Sequence, residues 1–229
     1  MYDVKTMLNN LIFPAKCKCC SKIADGDNLC SECMLKLEEE RIPAEKRCID
    51  KKFELVDKVY ASYYYNGRAE DAVIYAKFHN PASFLNSLLE DISIDISRVL
   101  EENNIDMVMG VPSHKSKLYT QEYDLPREMA KRVSCAFAVP LCSSVVKTRK
   151  TARQHDLPLD KRKVNLINAY TVNGDVTGIN ILIIDDVITT GSTVSAVATE
   201  LKLAGAGKVY AWAYTYNTYE RKNKNGNRK

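Results

Sequence analysis

Residues 181–193 read Ile-Leu-Ile-Ile-Asp-Asp-Val-Ile-Thr-Thr-Gly-Ser-Thr, and this stretch decides the fold class of the chain. The apolar run over 179–184 is typical of a strand that is buried on both faces of a parallel sheet. A helix is predicted over 193–204, and Gly205 follows it as a left-handed cap. A buried strand that leads through a short turn into a helix is typical of an α/β protein, whose ligands bind beyond the carboxyl ends of the strands.

Strands and helices alternate around this stretch. Apolar residues three or four apart predict helices over 68–78 and 84–100. Proline suits the first turn of a helix, so Pro126 predicts a further helix over 126–136. Runs of β-branched, aromatic or apolar residues predict strands over 55–65, 106–111, 144–147 and 208–216, whereas 164–172 is mixed and is left unassigned. The pattern predicts a doubly wound α/β fold: a mostly parallel sheet with helices on both faces.

Composition and charge exclude several classes of protein. The 229 residues include 45% hydrophobic and 27% charged residues, which is a globular composition. No apolar run approaches the roughly 18 residues that a membrane span needs, and no secretory signal is visible, so we expect a cytoplasmic protein without a membrane span. The net charge is +4, and the tail over 220–229 supplies all of this excess. We expect a basic, disordered tail over 218–229.

Six of the eight cysteines lie before residue 50. Four of them form two Cys-x-x-Cys pairs: Cys17 with Cys20, and Cys30 with Cys33. Two such pairs can place four thiolates around a tetrahedral ion, which predicts a closed, structural zinc site. Free thiols or a redox pair are the alternative. Cys19 could compete with Cys20 as a ligand, and Cys48 lies off the pattern.

The cysteine-rich segment is too short to bury a core of its own, which explains why it would need a metal. The charged stretch over 36–47 is interpreted as an exposed helix and linker. We therefore predict a zinc module with its linker over 1–48 and an α/β domain over 49–217.

The residues after the buried strand favour a site for a phosphorylated sugar. Asp185 and Asp186 could accept hydrogen bonds from vicinal hydroxyls, or lie near a divalent cation. The small residues over 189–193 let backbone N–H groups and a helix N-terminus point at a phosphate. An ordinary strand–turn–helix with capping residues is the alternative, but two carboxylates and four hydroxyls exceed what a cap needs. The Gly-Lys-Ser/Thr ending of a Walker loop is absent.

Residues 181–193 resemble the phosphoribosyl-pyrophosphate (PRPP) motif of type I phosphoribosyltransferases. The resemblance implies that Asp185 and Asp186 hold the ribose hydroxyls of PRPP, which binds with Mg²⁺. It further implies that the following turn cradles the 5′-phosphate; the turn consists of Thr189, Thr190, Gly191, Ser192 and Thr193. Together with the four cysteines ahead of it, this domain resembles the ComF family, which is linked to natural competence and DNA uptake.

Further positions are similar to ComF proteins. They are Lys77, residues 111–115, and Thr151, Gln154, Leu157, Arg162 and Asn165. Within 111–115, the resemblance implies a pyrophosphate loop formed by Ser113, His114 and Lys115. The chain departs from the family over 121–124, where Gln-Glu-Tyr-Asp replaces a typical Arg-Gly-Phe-Asn. This exchange removes an arginine and adds carboxylates, which argues against strong transferase turnover unless Mg²⁺ bridges the anions.

Two classes of function remain open at this point. An active phosphoribosyltransferase in nucleotide metabolism would release pyrophosphate from PRPP as a nucleophile attacks the anomeric carbon. A binding protein would sense PRPP or a related phosphorylated ribose, either with the DNA-uptake machinery or as a regulator unrelated to uptake. The basic stretch over 147–163 is a solvated loop, a mobile lid, or a surface that tracks single-stranded DNA. The missing arginine favours the competence role and leaves catalysis open.

Overall fold

The computed structural model describes residues 15–24, 28–79, 82–113, 124–149, 166 and 168–218. Among these residues, no helix combines the length and the apolar character needed to span a membrane. The basic tail from 220 onward and most of the basic stretch over 147–163 lie outside the described ranges.

The centre of the described structure is a four-stranded parallel sheet. Its strands are β1 (Lys58–Tyr64), β2 (Met107–Gly110), β5 (Ile181–Ile188) and β6 (Val209–Tyr216), in the order β1-β6-β5-β2. Two further strands, β3 (Val145–Lys147) and β4 (Tyr170–Val172), form a separate antiparallel pair. In the parallel sheet, Ile184 of β5 lies opposite Trp212 of β6, which in turn lies opposite Tyr60 of β1.

Helices cover both faces of the parallel sheet. The helices are α1 (Ser31–Glu39), α2 (Gly67–His79), α3 (Ala82–Asp91), α4 (Ser93–Glu102), α5 (Leu125–Phe137) and α6 (Ser192–Leu203). Because side chains alternate along a strand, Leu182 and Ile184 pack with α2–α5, whereas Ile181 and Ile183 pack with α6. The predicted fold class, a parallel α/β sheet with helices on both faces and a four-cysteine cluster, is confirmed.

Two predicted elements differ from the structure. The single helix predicted over 84–100 is interrupted between α3 and α4, because Ile92 leaves the helical conformation (φ −100°, ψ 7°) while its side chain stays fully buried. Because α3 and α4 pack against the same core, their apolar residues form one continuous pattern in the sequence, and this pattern predicts a single helix. The strand predicted to end at residue 184 continues to Ile188, because its backbone goes on pairing with β6.

The segment after α1 covers the open edge of β1. The charged sequence predicts an exposed linker here, but its backbone bonds to β1: the Ile42 N–H donates to the Ser62 carbonyl (2.8 Å) and the Ile49 N–H to that of Val59 (2.8 Å). The Ile42 side chain is fully buried. An edge strand presents unpaired N–H and C=O groups, and this segment supplies their partners.

Candidate functional site

The carboxyl end of β5 carries two neighbouring carboxylates that point to opposite faces of the sheet. Asp185 points toward the α6 side and Asp186 toward the α2 side, since successive side chains of a strand alternate. Both residues are buried, with 9% and 7% of their surface exposed. One carboxylate oxygen of Asp185 accepts a hydrogen bond from the Asp186 N–H (2.9 Å). Thus two acidic groups share one buried strand end, and their side chains leave the strand on opposite faces.

Burial and the nearby charge of Asp186 raise the pKa of Asp185 from 3.8 to about 8. The positive charge of Lys77 opposes this rise. At neutral pH the Asp185 carboxyl is therefore mostly protonated, so it can donate a hydrogen bond as well as accept one.

Lys77 forms an ion pair with Asp186, the second of the two carboxylates. Its Nζ lies 2.9 Å from Oδ2 of Asp186, and its side chain is 37% exposed. Burial alone would lower the pKa of Lys77, but the ion pair with Asp186 raises it above its usual value, so the lysine stays charged. The sequence marked Lys77 only by its family-like position and assigned no role to it. Its distance from β5 in the sequence, over 100 residues, explains why no local motif connects the two.

The turn between β5 and α6 is tightly packed. Gly191 has a left-handed conformation (φ +76°) at the start of α6, and a Cβ there would overlap the ring of Phe53. The hydroxyl oxygens of Thr190 and Ser192 lie 2.9 Å apart. Only glycine suits this position, because both the backbone angle and the space exclude a side chain. Sequence reasoning did not connect Phe53 with the site.

A cleft of about 250 Å³, open to solvent, lies above this turn. It is lined by Asp185 and by residues 187–194. The structure thus places Asp185 and the turn residues Thr189, Thr190, Gly191, Ser192 and Thr193 around one cleft, with Asp186 and Lys77 adjoining on the other face of β5. Ser113 follows β2, the strand beside β5. His114, Lys115 and residues 121–123 lie outside the described residues.

Tyr170 is a buried polar residue near Asp185 that the sequence did not single out. It is 2% exposed, and within the described residues its hydroxyl has no hydrogen-bond partner. Burial and the nearby negative charge of Asp185 raise its pKa, so it stays protonated. The sequence gives little indication of this residue, because Tyr170 lies in a stretch without a clear helix or strand pattern and β4 has only three residues.

The four cysteines of the predicted metal site come together at the amino-terminal end of the described chain. The Sγ atoms of Cys17, Cys20, Cys30 and Cys33 all lie within 4.8 Å of one another. Four thiolates about 2.3 Å from a tetrahedral zinc would be about 3.8 Å apart, so the cluster fits the ion. Burial opposes ionisation, but backbone hydrogen bonds from residues 19, 20 and 30 lower the pKa of Cys17 to about 6.

The structure also separates the remaining amino-terminal cysteines from this cluster. The Cys19 thiol is directed away from it, with Sγ 3.9 Å from the Arg68 carbonyl oxygen of α2. Cys20, and not Cys19, thus lies in the four-cysteine cluster. Cys48 is exposed and lies off the cluster.

A carboxylate joins the cysteine-rich module to the helix that carries Lys77. Glu40, directly after α1, accepts hydrogen bonds from the backbone N–H groups of Arg68 (2.9 Å) and Ala69 (2.7 Å). These are the first N–H groups of α2, which have no partner within the helix. The module therefore caps α2 at one end, while the last turn of the same helix presents Lys77 to Asp186.

Comparison with known proteins gives similar sequences and similar folds. No protein-family model matches the chain. The DNA utilization protein YhgH of Escherichia coli O6:H1 is 28% identical over 204 residues, which cover 86% of this chain and 88% of that protein. The protein of the same name from Salmonella typhi is 35% identical over 111 residues, or 47% of this chain and 48% of that protein.

Other similarities concern parts of the chain. A ribose-phosphate pyrophosphokinase of Staphylococcus saprophyticus subsp. saprophyticus is 34% identical over 112 residues, 47% of this chain and 33% of that enzyme. Among solved structures, adenine phosphoribosyltransferase from Saccharomyces cerevisiae is 16% identical, covers 60% of this chain and 70% of its own, and has a TM-score of 0.41. The chain is thus similar over most of its length to proteins named for DNA utilization, and over about half to an enzyme named for ribose phosphate.

Proposed function

We propose that this protein binds PRPP, or a related phosphorylated ribose, at the carboxyl end of β5 and acts in DNA utilization during natural competence and DNA uptake. The observation that carries the proposal is the arrangement of Asp185, Asp186 and the turn over 189–193 around one strand end. The names of the DNA utilization relatives support the biological role. Transferase activity is a further possibility that the proposal leaves open.

The two carboxyl groups suit the vicinal hydroxyls of ribose. Each hydroxyl can donate one hydrogen bond and accept others, and carboxylates are strong acceptors. Asp185, mostly protonated at neutral pH, would accept from one hydroxyl and donate to a neighbouring oxygen. Asp186, paired with Lys77, would accept from the second. Two buried acceptors at fixed positions favour a diol over a single alcohol.

The turn and the helix start suit a phosphate. The turn supplies small side chains, hydroxyl donors and a glycine that lets the ligand approach the backbone closely. The positive end of the α6 dipole favours the phosphate anion. Lys77 adds a full positive charge on the α2 side, and Mg²⁺ would accompany PRPP as part of the ligand.

Catalysis would depend on charge rather than on an acid or base. Loss of pyrophosphate from PRPP develops positive charge on the ribose and negative charge on the leaving group, so positioning and electrostatic stabilisation supply most of the rate. Over 121–124 the chain lacks the arginine that is typical of ComF proteins, which reduces the electrostatic stabilisation of the pyrophosphate leaving group. Ligand binding without turnover therefore fits the residues best, and pyrophosphate release in the presence of candidate bases would favour the active enzyme instead.

The cysteine cluster is proposed to hold one structural Zn²⁺ per chain. Four thiolates fill a tetrahedral ion, so no position is left for a substrate or water. The ion would hold the amino-terminal module in the shape that positions Glu40 against α2.

Calorimetric titration with Mg²⁺–PRPP tests the ligand. The parent protein should bind with a measurable heat. The variant with both Asp185→Ala and Asp186→Ala should bind about 30-fold more weakly or worse, because it removes one hydrogen bond to a charged carboxylate (about 1.5–3 kcal/mol) and one to a mostly neutral carboxyl (about 0.5–1.5 kcal/mol). The double variant Glu38→Ala with Glu39→Ala on α1 is the matched control. Unchanged PRPP affinity of the aspartate variant would refute the site.

Repeating the titration with single-stranded DNA present tests the DNA role. Single-stranded DNA should bind weakly, without preference for a base sequence, and its affinity should fall steeply as the salt concentration rises. Replacing Arg149, Lys150 and Arg153 together should reduce the salt dependence, and PRPP should change DNA affinity by the same factor by which DNA changes PRPP affinity. DNA binding with unchanged affinity and salt dependence in the triple variant would exclude this loop as the DNA surface.

A further inference from the structure

The loop over 49–57, which leads into β1, is fixed to the sheet at both ends. At one end the Ile49 N–H donates to the Val59 carbonyl (2.8 Å). At the other end the Asp57 N–H donates to the carbonyl of Val209 on β6 (2.7 Å). The residues over 49–57 contain neither a helix nor a strand. The course of this loop therefore depends on its contacts with the rest of the fold, and two of these contacts are at the ends of α6.

Phe53, in the middle of the loop, contacts the residue at which α6 begins. Its ring lies so close to Gly191 that a Cβ there would overlap Cδ1 and Cε1 of the ring. The Phe53 side chain is buried in the same apolar cluster as Ile188, the last residue of β5, and Val194, in the first turn of α6. The ring thus lies behind the turn over 189–193, in the core that also holds the residues before and after it.

Asp57 contacts the other end of α6. Its Oδ2 accepts hydrogen bonds from Nζ of Lys202 (3.0 Å) and from the Val209 N–H (2.8 Å). Lys202 lies in the last turn of α6, and its Nζ also donates to the Gly207 carbonyl. The same loop thus contacts α6 at its first residue and at its last turn.

Leu55 gives the loop a backbone conformation that side chains disfavour. Its φ is +57°, in the left-handed region, and its side chain is half exposed. A residue with a Cβ is kept in this region only where the surrounding structure compensates for the cost. Leu55 lies in the turn in which the Val56 N–H donates to the Phe53 carbonyl (3.3 Å). The strained turn is therefore the one that places Phe53 against Gly191.

The position of the turn over 189–193 matters because backbone N–H groups at a helix start bind a phosphate only when they converge on it. Phe53 is not among the residues that line the cleft above this turn. It can therefore affect a ligand in the cleft only through the turn. Binding groups that are already held in place lose less freedom when the ligand binds, and this raises the affinity.

We propose that Phe53 is a positioning residue for the phosphate-binding turn. Its ring holds Gly191 in the left-handed conformation and fixes the start of α6 where the 5′-phosphate of the ligand binds. For the identity of the ligand, PRPP or ribose 5-phosphate, the inference rests on the proposed function. The contact between Phe53 and the turn exists without a ligand and can be tested without one.

Hydrogen exchange tests whether Phe53 holds the turn in the ligand-free protein. The N–H groups of Ser195 and Ala204 donate to carbonyls four residues earlier (2.9 and 3.0 Å), so they report on the start and the end of α6. Phe53→Ala should speed exchange at Ser195 at least about tenfold more than at Ala204. Leu201→Ala removes a fully buried side chain of the same cluster near the end of α6, and it should not speed exchange preferentially at Ser195.

Calorimetric titration with Mg²⁺–PRPP tests the consequence for binding. Phe53→Ala should weaken binding about tenfold, whereas Leu201→Ala should bind as the parent does. Phe53→Leu keeps part of the contact and should weaken binding by a smaller factor, and it replaces the alanine variant in both experiments if that variant fails to fold. Gly191→Ala should weaken binding at least about tenfold less when combined with the Phe53 variant than it does alone, because the overlap with the ring is relieved.

Two results would overturn the proposal. One is that the Phe53 variant speeds exchange equally at Ser195 and Ala204. The other is that the effects of the Phe53 and Gly191 changes on PRPP binding are additive, since two residues that act through one contact must be coupled. If the parent binds no PRPP, the proposed function fails, and the exchange rates still decide whether Phe53 holds the turn.

Discussion

The cysteine cluster and the carboxyl end of β5 are built in opposite ways. The cluster draws its four thiols from 17 consecutive residues, and its buried residues are three of these cysteines and Ala24. The β5 site lies on a strand buried between two layers of helices, and it gains Lys77, Phe53 and Tyr170 from distant parts of the chain. We therefore expect the local cluster to depend on a bound metal for its shape, whereas the site assembled by tertiary packing is supported by the core.

The largest expected effect is on the stability of the cysteine cluster. Cys33→Ser removes one of four thiolates, and the loss of zinc should destabilise the amino-terminal module by a large part of the ~10 kcal/mol that structural zinc contributes in small domains. Metal analysis should show zinc near one per chain in the parent and much less in the variant, and protease should cleave the variant within the module.

Cys48→Ser is the matched control for this change, because Cys48 is a cysteine of the same region that lies off the cluster. It should keep both the metal content and the protease resistance of the parent. If parent protein purified without chelator contained no zinc, the contrast between a metal-held module and a core-held domain would fail.

The second prediction tests whether the β5 site really depends on a distant helix. Lys77→Met keeps the length of the side chain but leaves Asp186 without its cation, and it should weaken PRPP binding about tenfold, equivalent to about 1.4 kcal/mol. Lys131→Met on α5 changes charge by the same amount outside the site and should have no effect. Equal PRPP affinities of the two variants would mean that the β5 stretch binds its ligand without α2.

A third change addresses the connection between the two regions. Glu40→Ala removes the cap of α2 and should lower the free energy of unfolding by about 1 kcal/mol. Because α2 carries Lys77, PRPP affinity should fall as well, by less than in Lys77→Met. Glu39→Ala, the exposed neighbouring residue, is the control. If Glu40→Ala lowered stability and left PRPP affinity unchanged, the Glu40 cap would stabilise α2 without affecting the ligand site at β5.

A fourth prediction concerns the dependence of stability on pH. The pKa of Asp185 is raised in the folded protein, to about 8 from an ordinary 3.8, so between these values the folded state holds more protons than the unfolded state. The stability contributed by this group is present at low pH and is lost as the pH rises towards 8. Asp185→Asn should remove this loss, so its stability relative to the parent should increase between about pH 5 and about pH 8 in urea denaturation.

Asp175→Asn is a control of opposite sign. Hydrogen bonds from Thr177 lower the pKa of Asp175, so its contribution changes only at more acidic pH. A stability difference between Asp185→Asn and the parent that did not change with pH would mean that the buried strand end leaves Asp185 ionised at neutral pH.

The sequence by itself determined the features that depend on short-range patterns. The cysteine spacing identified the four clustered thiols, since Cys-x-x-Cys geometry is local. The apolar run before Asp185 identified a buried strand, because a parallel strand must be hydrophobic on both faces. Helices α2, α5 and α6 were predicted to within two residues at each end, because apolar spacing indicates α2, Pro126 marks the start of α5 and Gly205 marks the end of α6. The candidate ligand residues at the strand end followed from the same stretch.

Only the tertiary structure decided which distant residues contact the strand end of β5 and the start of α2. No local pattern links Lys77 to Asp186, Phe53 to Gly191 or Glu40 to the start of α2, because these contacts arise when separate elements pack on one sheet. The extension of β5 to Ile188 depends on pairing with β6, and burial of the segment after α1 depends on the open edge of β1. Burial also sets the pKa of Asp185, since the cost of charging a carboxyl depends on the atoms that surround it rather than on its neighbours in the sequence.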